Sequence, residues 1–238
     1  MSGLDPDLLL RAYSVGVFPM ASTREAADVF WVEPKKRGVL PLDQFHLSRS
    51  LAKTLRADRF SVTVDRAFSR IVALCAEPTE RRPDTWINPD IEAAYAELHR
   101  RGYAHSVECW QDDRLVGGLY GVRLGAAFFG ESMFSRVRDA SKVALAHLVA
   151  RMKAGGFRLL DCQFQTEHLA SLGAIEVGRD AYVALLDNAL GLGSGPSAGA
   201  GVSADFFAID RLGAADTAET VSGPISGWRI VQLLGQTS

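Results

Sequence analysis

Residues 117–164 limit the possible folds more than any other stretch. GGLYGVRLGAAFFGESMFSR gives two apolar, β-like segments broken by glycines. DASKVALAHLVARMKAGG, residues 139–156, follows as an apolar helix that Asp139 or Ser141 can cap and Gly155-Gly156 can end. FRLLDCQF then reads as a further strand. Two strands, a helix and a strand in that order predict a mixed α/β pattern.

The same stretch holds two carboxylates among apolar neighbours, Glu131 and Asp161, with an amide, Gln163, two residues beyond the second. Acids are rarely buried without a partner or a task. Strand alternation puts Phe157, Leu159, Asp161 and Gln163 on one face, so Asp161 and Gln163 should stand side by side over one cavity wall. Leu160 and Cys162 should face away, which argues against a thiol nucleophile. Glu131, Met133 and Ser135 share a face if their strand is regular. A bulge at Gly130 would instead bring Phe128 beside Glu131. The alternative is structural: both acids pair with Arg136, Arg138, Lys142 or backbone donors.

Around this unit, strands and helices are expected in the order β-α-α-β-β-β-α-β-α-β from residue 60 onward, a mixed α/β pattern. AIEVGRDAYVALL is expected to be extended. Residues 1–40 read as a small N-terminal domain, 41–190 as the main body, and 191–238 as a Gly/Ser-rich tail whose last apolar segment, SGWRIVQLL, is expected to dock as an edge strand.

Several function classes drop out. The formal net charge of −2 argues against wrapping long nucleic acid by charge alone. No apolar run approaches the roughly 18 residues that span a bilayer, and the N-terminus lacks a basic signal-peptide region. Three scattered cysteines suggest no disulfide framework and the five histidines no metal spacing, so the cytoplasm is expected and no metal. No phosphate-binding G-x-x-x-x-G-K-[ST] loop occurs. Arg49, Lys53 and Arg56 fall on one helical stripe that either grips phosphates or is solvated, and Lys35-Lys36-Arg37 is open to the same two readings. Trp86 and Tyr95 flank the turn into a helix and can stack on a base, cover an acyl group, or simply fill core.

FPM, FWVEPKKRGVLPLDQFHLSRSL, TWI, GGLYGV, FFGESMFSR, DASKVAL, DCQ and HLASLGA together closely resemble the leucyl/phenylalanyl-tRNA–protein transferases, over about residues 4 to 185. The resemblance implies a GNAT-like acyltransferase domain behind a small N-terminal domain. It implies transfer of leucine or phenylalanine, and methionine less well, from aminoacyl-tRNA to the α-amine of proteins beginning with Arg or Lys, marking them for N-degron proteolysis. No cofactor is implied, because an aminoacyl ester is already activated. A monomer is expected. By the same resemblance Asp161 takes or orients the amine proton, Gln163 relays hydrogen bonds, and Glu131 anchors the amino group or sugar of the aminoacyl-adenosine. Leu119, Phe128, Met133, Leu148 and Leu160 line the acyl pocket, Trp86 lies beside the terminal adenosine, and Arg49, Lys53 and Arg56 contact the tRNA acceptor stem. Thr166 departs from the family, many members of which carry Asn there, and the chain opens close to AYSVGVFPM, so an abbreviated N-terminal domain is expected. The rival readings are an acyl-CoA-dependent N-acyltransferase of the same fold and a non-catalytic module that binds RNA ends or protein N-termini.

Overall fold

The computed structural model describes residues 3–80, 83–192, 204–214 and 225–235. Helix α1 (Pro6–Ser14) starts with Pro6 in its first turn and the Asp5 carboxylate accepting from the Asp7 N–H. A short antiparallel pair, β1 (Phe18–Met20) and β2 (Phe30–Val32), follows, then β3 (Lys36–Val39). Helix α2 (Arg49–Arg56), capped by Ser48, leads into β4 (Ser61–Val64), α3 (Phe68–Ala76) and α4 (Pro89–Arg100). Three strands run in succession, β5 (Ala104–Gln111), β6 (Arg114–Leu124) and β7 (Ala127–Ser135). The chain continues through α5 (Ala140–Ala154), β8 (Leu159–Gln163), α6 (Glu167–Ala170), β9 (Ile175–Gly178) and α7 (Arg179–Leu190). Among the described residues of the tail lie two helices, α8 (Ala208–Ala214) and α9 (Gly227–Gly235).

Seven strands form one mixed sheet in the order β4-β5-β6-β7-β8-β3-β9. Only β7 and β8 run parallel, because α5 carries the chain across between them; every other pair is antiparallel. This is the mixed α/β class that the sequence predicts. Twelve of the fifteen residues of α5 are buried, so the helix lies inside the molecule and not on its surface. One apolar cluster joins it to α2 and α9. A second, with residues of α1, α3, α4 and α7, contains Tyr120, Phe129 and Leu159 of the sheet.

Four expectations need correction. Residues 179–190 are helical and not extended. Residues 227–235 form a helix and not an edge strand: Ile230, Val231 and Leu234 are buried at helical spacing. Residues 36–39, inside the stretch expected to form the N-terminal domain, supply a strand to the main sheet. Arg37 does not belong to a surface cluster; it is 1% exposed, because strand alternation turns it inward while Lys36 faces out.

Candidate active site

The site begins with a bulge. Tyr120 of β6 faces Ser132 of β7, while Gly121 faces Gly130, which leaves Glu131 as the extra, unpaired residue. Gly121 permits this, since a side-chain carbon there would collide with the Phe129 carbonyl and the Phe128 ring. Glu131 is 7% exposed and lines a cavity of about 370 Å³. Its carboxyl accepts from Tyr13 Oη at 2.7 Å, Tyr95 Oη at 2.8 Å and Gln163 Nε2 at 2.9 Å.

Burial pushes the Glu131 pKa up to about 7, against the pull of the two tyrosine hydrogen bonds, and the nearby Asp161 charge adds to the rise. The hydrogen-bond count agrees. Tyr13 and Tyr95 also meet each other, Oη to Oη, at 2.6 Å. Each phenol has one proton, and when Glu131 is ionised both point at it, leaving the phenol–phenol contact with none. A proton on Glu131 completes the triangle.

Asp161 sits differently. It is fully buried and absent from the cavity wall. Arg37 Nε donates to both of its oxygens, at 2.9 and 3.1 Å, and Nη2 to Oδ2 at 2.7 Å. Tyr182 Oη donates to Oδ2 at 2.7 Å and the Gln163 N–H to Oδ1 at 2.7 Å. Arg37 Nη1 donates to the Gly16 carbonyl at 2.9 Å, and the guanidinium lies against the rings of Phe18 and Tyr182. Neither acid pairs with Arg136, Arg138 or Lys142.

The expected parity therefore breaks within DCQ. Leu160 and Cys162 face the cavity and Asp161 does not, yet Gln163 does. Its φ of +58° lies in the left-handed region, so the side chain swings out of alternation towards Glu131 while its N–H stays on Asp161. Cys162, expected to face away, lines the cavity with its thiol pKa raised by burial and by Asp161, so it stays protonated.

Of the expected residues, Leu119, Met133, Leu148, Leu160 and Trp86 line the cavity with Glu131 and Gln163. Tyr95 stands behind Glu131 and holds it. Phe128 does not line the cavity; it is fully buried and stacked on Phe206, 5.6 Å between centroids. Ser135 is exposed and donates to the Val137 carbonyl. Arg49, Lys53 and Arg56 project from α2 into solvent, outside the cavity. Sequence reasoning misses Tyr13, Arg37 and Tyr182, and the further walls Leu145 and Leu169. The alternation around β3 is a usable signal for Arg37; nothing local marks the two tyrosines. Among the described residues no group of three or more His, Cys, Asp or Glu could hold a metal ion, and no helix is long and apolar enough to cross a membrane.

A cavity walled by leucines and a methionine, with one protonatable acid and one amide in its lining, suits an apolar side chain presented beside an amine or ester. The similarities to known proteins are specific. Residues 39–187 match the family model described as leucyl/phenylalanyl-tRNA protein transferase, and residues 3–35 match the model of that family's N-terminal domain. The leucyl/phenylalanyl-tRNA–protein transferase of Rhizorhabdus wittichii is 71% identical over the full length of both chains. That of Phenylobacterium zucineum is 53% identical, also over the full length of both. Among solved structures, FemX aligns over 72% of this chain and 66% of its own, at 12% identity and TM-score 0.48.

Proposed function

The chain belongs to the leucyl/phenylalanyl-tRNA–protein transferase family and is an aminoacyltransferase, and from that premise we propose that it moves leucine or phenylalanine from tRNA to the α-amine of proteins beginning with Arg or Lys. The product would carry a new N-terminal residue that feeds N-degron proteolysis in the cytoplasm.

In this reading the donor's side chain occupies the slot between Leu119, Met133, Leu148 and Leu160, with Trp86 against the terminal adenosine. The acceptor nitrogen attacks the ester carbonyl, an N–C bond forms, and the C–O bond to the ribose breaks. The amine gives up a proton and the ribose hydroxyl gains one. Because an α-amine has a pKa near 7.7–8.0, much of it is protonated at neutral pH and must first lose that proton. Gln163 reaches the cavity with its Nε2 engaged by Glu131, which leaves its Oε1 to accept from the incoming amine. Glu131, with a pKa near neutrality, can exchange the proton.

Asp161 takes another part. Its oxygens accept from Arg37, Tyr182 and the Gln163 N–H, and it has no opening to the cavity, so it fixes the backbone twist that aims Gln163. Charge, aim and slot then meet at one wall, and catalysis rests chiefly on positioning.

The observation that carries the proposal is the 2.9 Å contact from Gln163 to Glu131 in the lining of an apolar cavity. Its test is transfer of labelled leucine from Leu-tRNA to an Arg-initiated peptide. Transfer to the Arg peptide and not to one beginning with an acidic residue is expected; absence of transfer, or transfer from acyl-CoA instead, overturns it.

A further inference from the structure

Helix α9 lies beyond residue 187, where the match to the family's main model ends, and the cavity makes no use of it. Its buried face, Ile230, Val231 and Leu234, packs in the same core as Leu51, Ala52 and Leu55 of α2. The junction is close because residue 227 is glycine. A side-chain carbon there would collide with the Leu55 carbonyl oxygen, and the Gly227 N–H donates to Asp58 Oδ1 at 2.7 Å. The helix is thus seated at a fixed point against the end of α2.

The outward face of that seat carries Trp228, 56% exposed, with the exposed Gln232 one turn further on. Together with Arg56, Val231 and Gly235 they line a hollow of about 300 Å³. Arg56 ends the row that begins with Arg49 and Lys53, and Arg59 follows in the next turn of chain. All four are exposed, and none forms an ion pair among the described residues. The row from Arg49 to Arg56 spans about 10 Å of helix, enough to reach more than one phosphate along a nucleic-acid backbone. A bare indole beside unpaired guanidinium groups suits a partner with both negative charge and flat faces.

We propose that α9 extends the cationic face of α2 into a two-part contact for the body of the donor tRNA. The row on α2 neutralises backbone phosphates, and the Trp228 indole stacks on an unpaired base, with Gln232 hydrogen-bonding beside it. This rests on the reading of the chain as an aminoacyl-tRNA-dependent transferase.

Three measurements on the full chain test it: the KM for Leu-tRNA, transfer from a minimal leucyl-adenosine donor that has no tRNA body, and filter binding of uncharged tRNA. In Trp228→Ala the KM for Leu-tRNA should rise about fivefold or more and tRNA affinity fall by a similar factor, as loss of one stacked base implies. The kcat with either donor should change less than about twofold, and Trp228→Phe should recover most of the loss. An unchanged KM and tRNA affinity in Trp228→Ala overturn the proposal. So does a raised KM for the acceptor peptide alone, which would make the hollow a protein site. Should the wild-type chain transfer from neither donor, the transferase reading falls, while filter binding still decides whether Trp228 touches RNA.

Discussion

Arg37 and Asp161 are 124 residues apart in the chain and 2.7 Å apart in the fold, with side chains 2% and 0% exposed. A pair sealed this well contributes little net stability while intact, but breaking it strands a charge. Arg37→Met should therefore cost about 3–5 kcal/mol in urea unfolding. Arg37→Met combined with Asp161→Leu should recover more than half of that loss. Transfer in the double variant should stay at least tenfold down, because the Gln163 N–H has no acceptor there. A double variant with wild-type rates would remove Asp161 from the machinery.

Glu131 gives a pH signature. Its pKa is raised from 4.5 to about 7 in the fold, so between those values the native state holds a proton that the unfolded chain has released. Stability from this group is therefore greatest below about pH 4.5, falls as pH rises to about 7, and is flat above, a change of about 3 kcal/mol. The difference in urea midpoint between the wild type and Glu131→Gln, followed from pH 4.5 to 8, should trace that fall. Parallel curves for the two proteins would contradict it. Glu131→Gln should also slow transfer at least tenfold, since an amide keeps the hydrogen bonds of a protonated carboxyl but cannot exchange the proton.

The slot should select by volume. Leu148 sits on α5 in the cavity wall, and Leu148→Phe leaves less room for an aromatic donor than for a branched aliphatic one. Competition between Phe-tRNA and Leu-tRNA is expected to shift at least tenfold towards leucine, within the ~1–3 kcal/mol that such pockets deliver. An unchanged ratio would place the acyl group elsewhere.

Charge on α2 should be visible in salt dependence. Replacing Arg49, Lys53 and Arg56 by Gln one at a time should weaken tRNA binding for every tRNA sequence alike. Each change should reduce the slope of log K against log salt by about 0.9 for every phosphate that the variant no longer neutralises. A slope unaffected by all three would make this row an ordinary solvated face.

Much of the fold is legible in the sequence, for identifiable reasons. The helix α5 declares itself through its apolar run and the two glycines that end it. The three strands before it are marked by turn residues, Asp112-Asp113 and Gly125, all with positive φ. The bulge that the sequence allows at Gly130 falls one residue on, at Glu131, and does not bring Phe128 into the cavity; its place rests on the register of β6, a partner in space. Alternation puts Asp161 on the wrong face because it assumes a regular strand, and Gln163 leaves regularity at φ +58°. The helices α7 and α9 are hard to read because short apolar segments with few breakers fit either period. Family position draws Phe128 to the cavity, whereas Phe206, from a segment with no motif at all, claims it as a stacking partner.

Tyr13 belongs to the first helix, yet it donates to Glu131; Gly16, just past that helix, receives Arg37. The opening thirty-odd residues are thus part of the scaffold of the candidate site and no detachable appendage. A fragment limited to residues 39–187 would forfeit one of the acid's three donors together with the arginine that neutralises Asp161. Splitting the gene at the boundary between the two matched regions should accordingly yield halves that are inert apart, and that regain turnover only by reassembling.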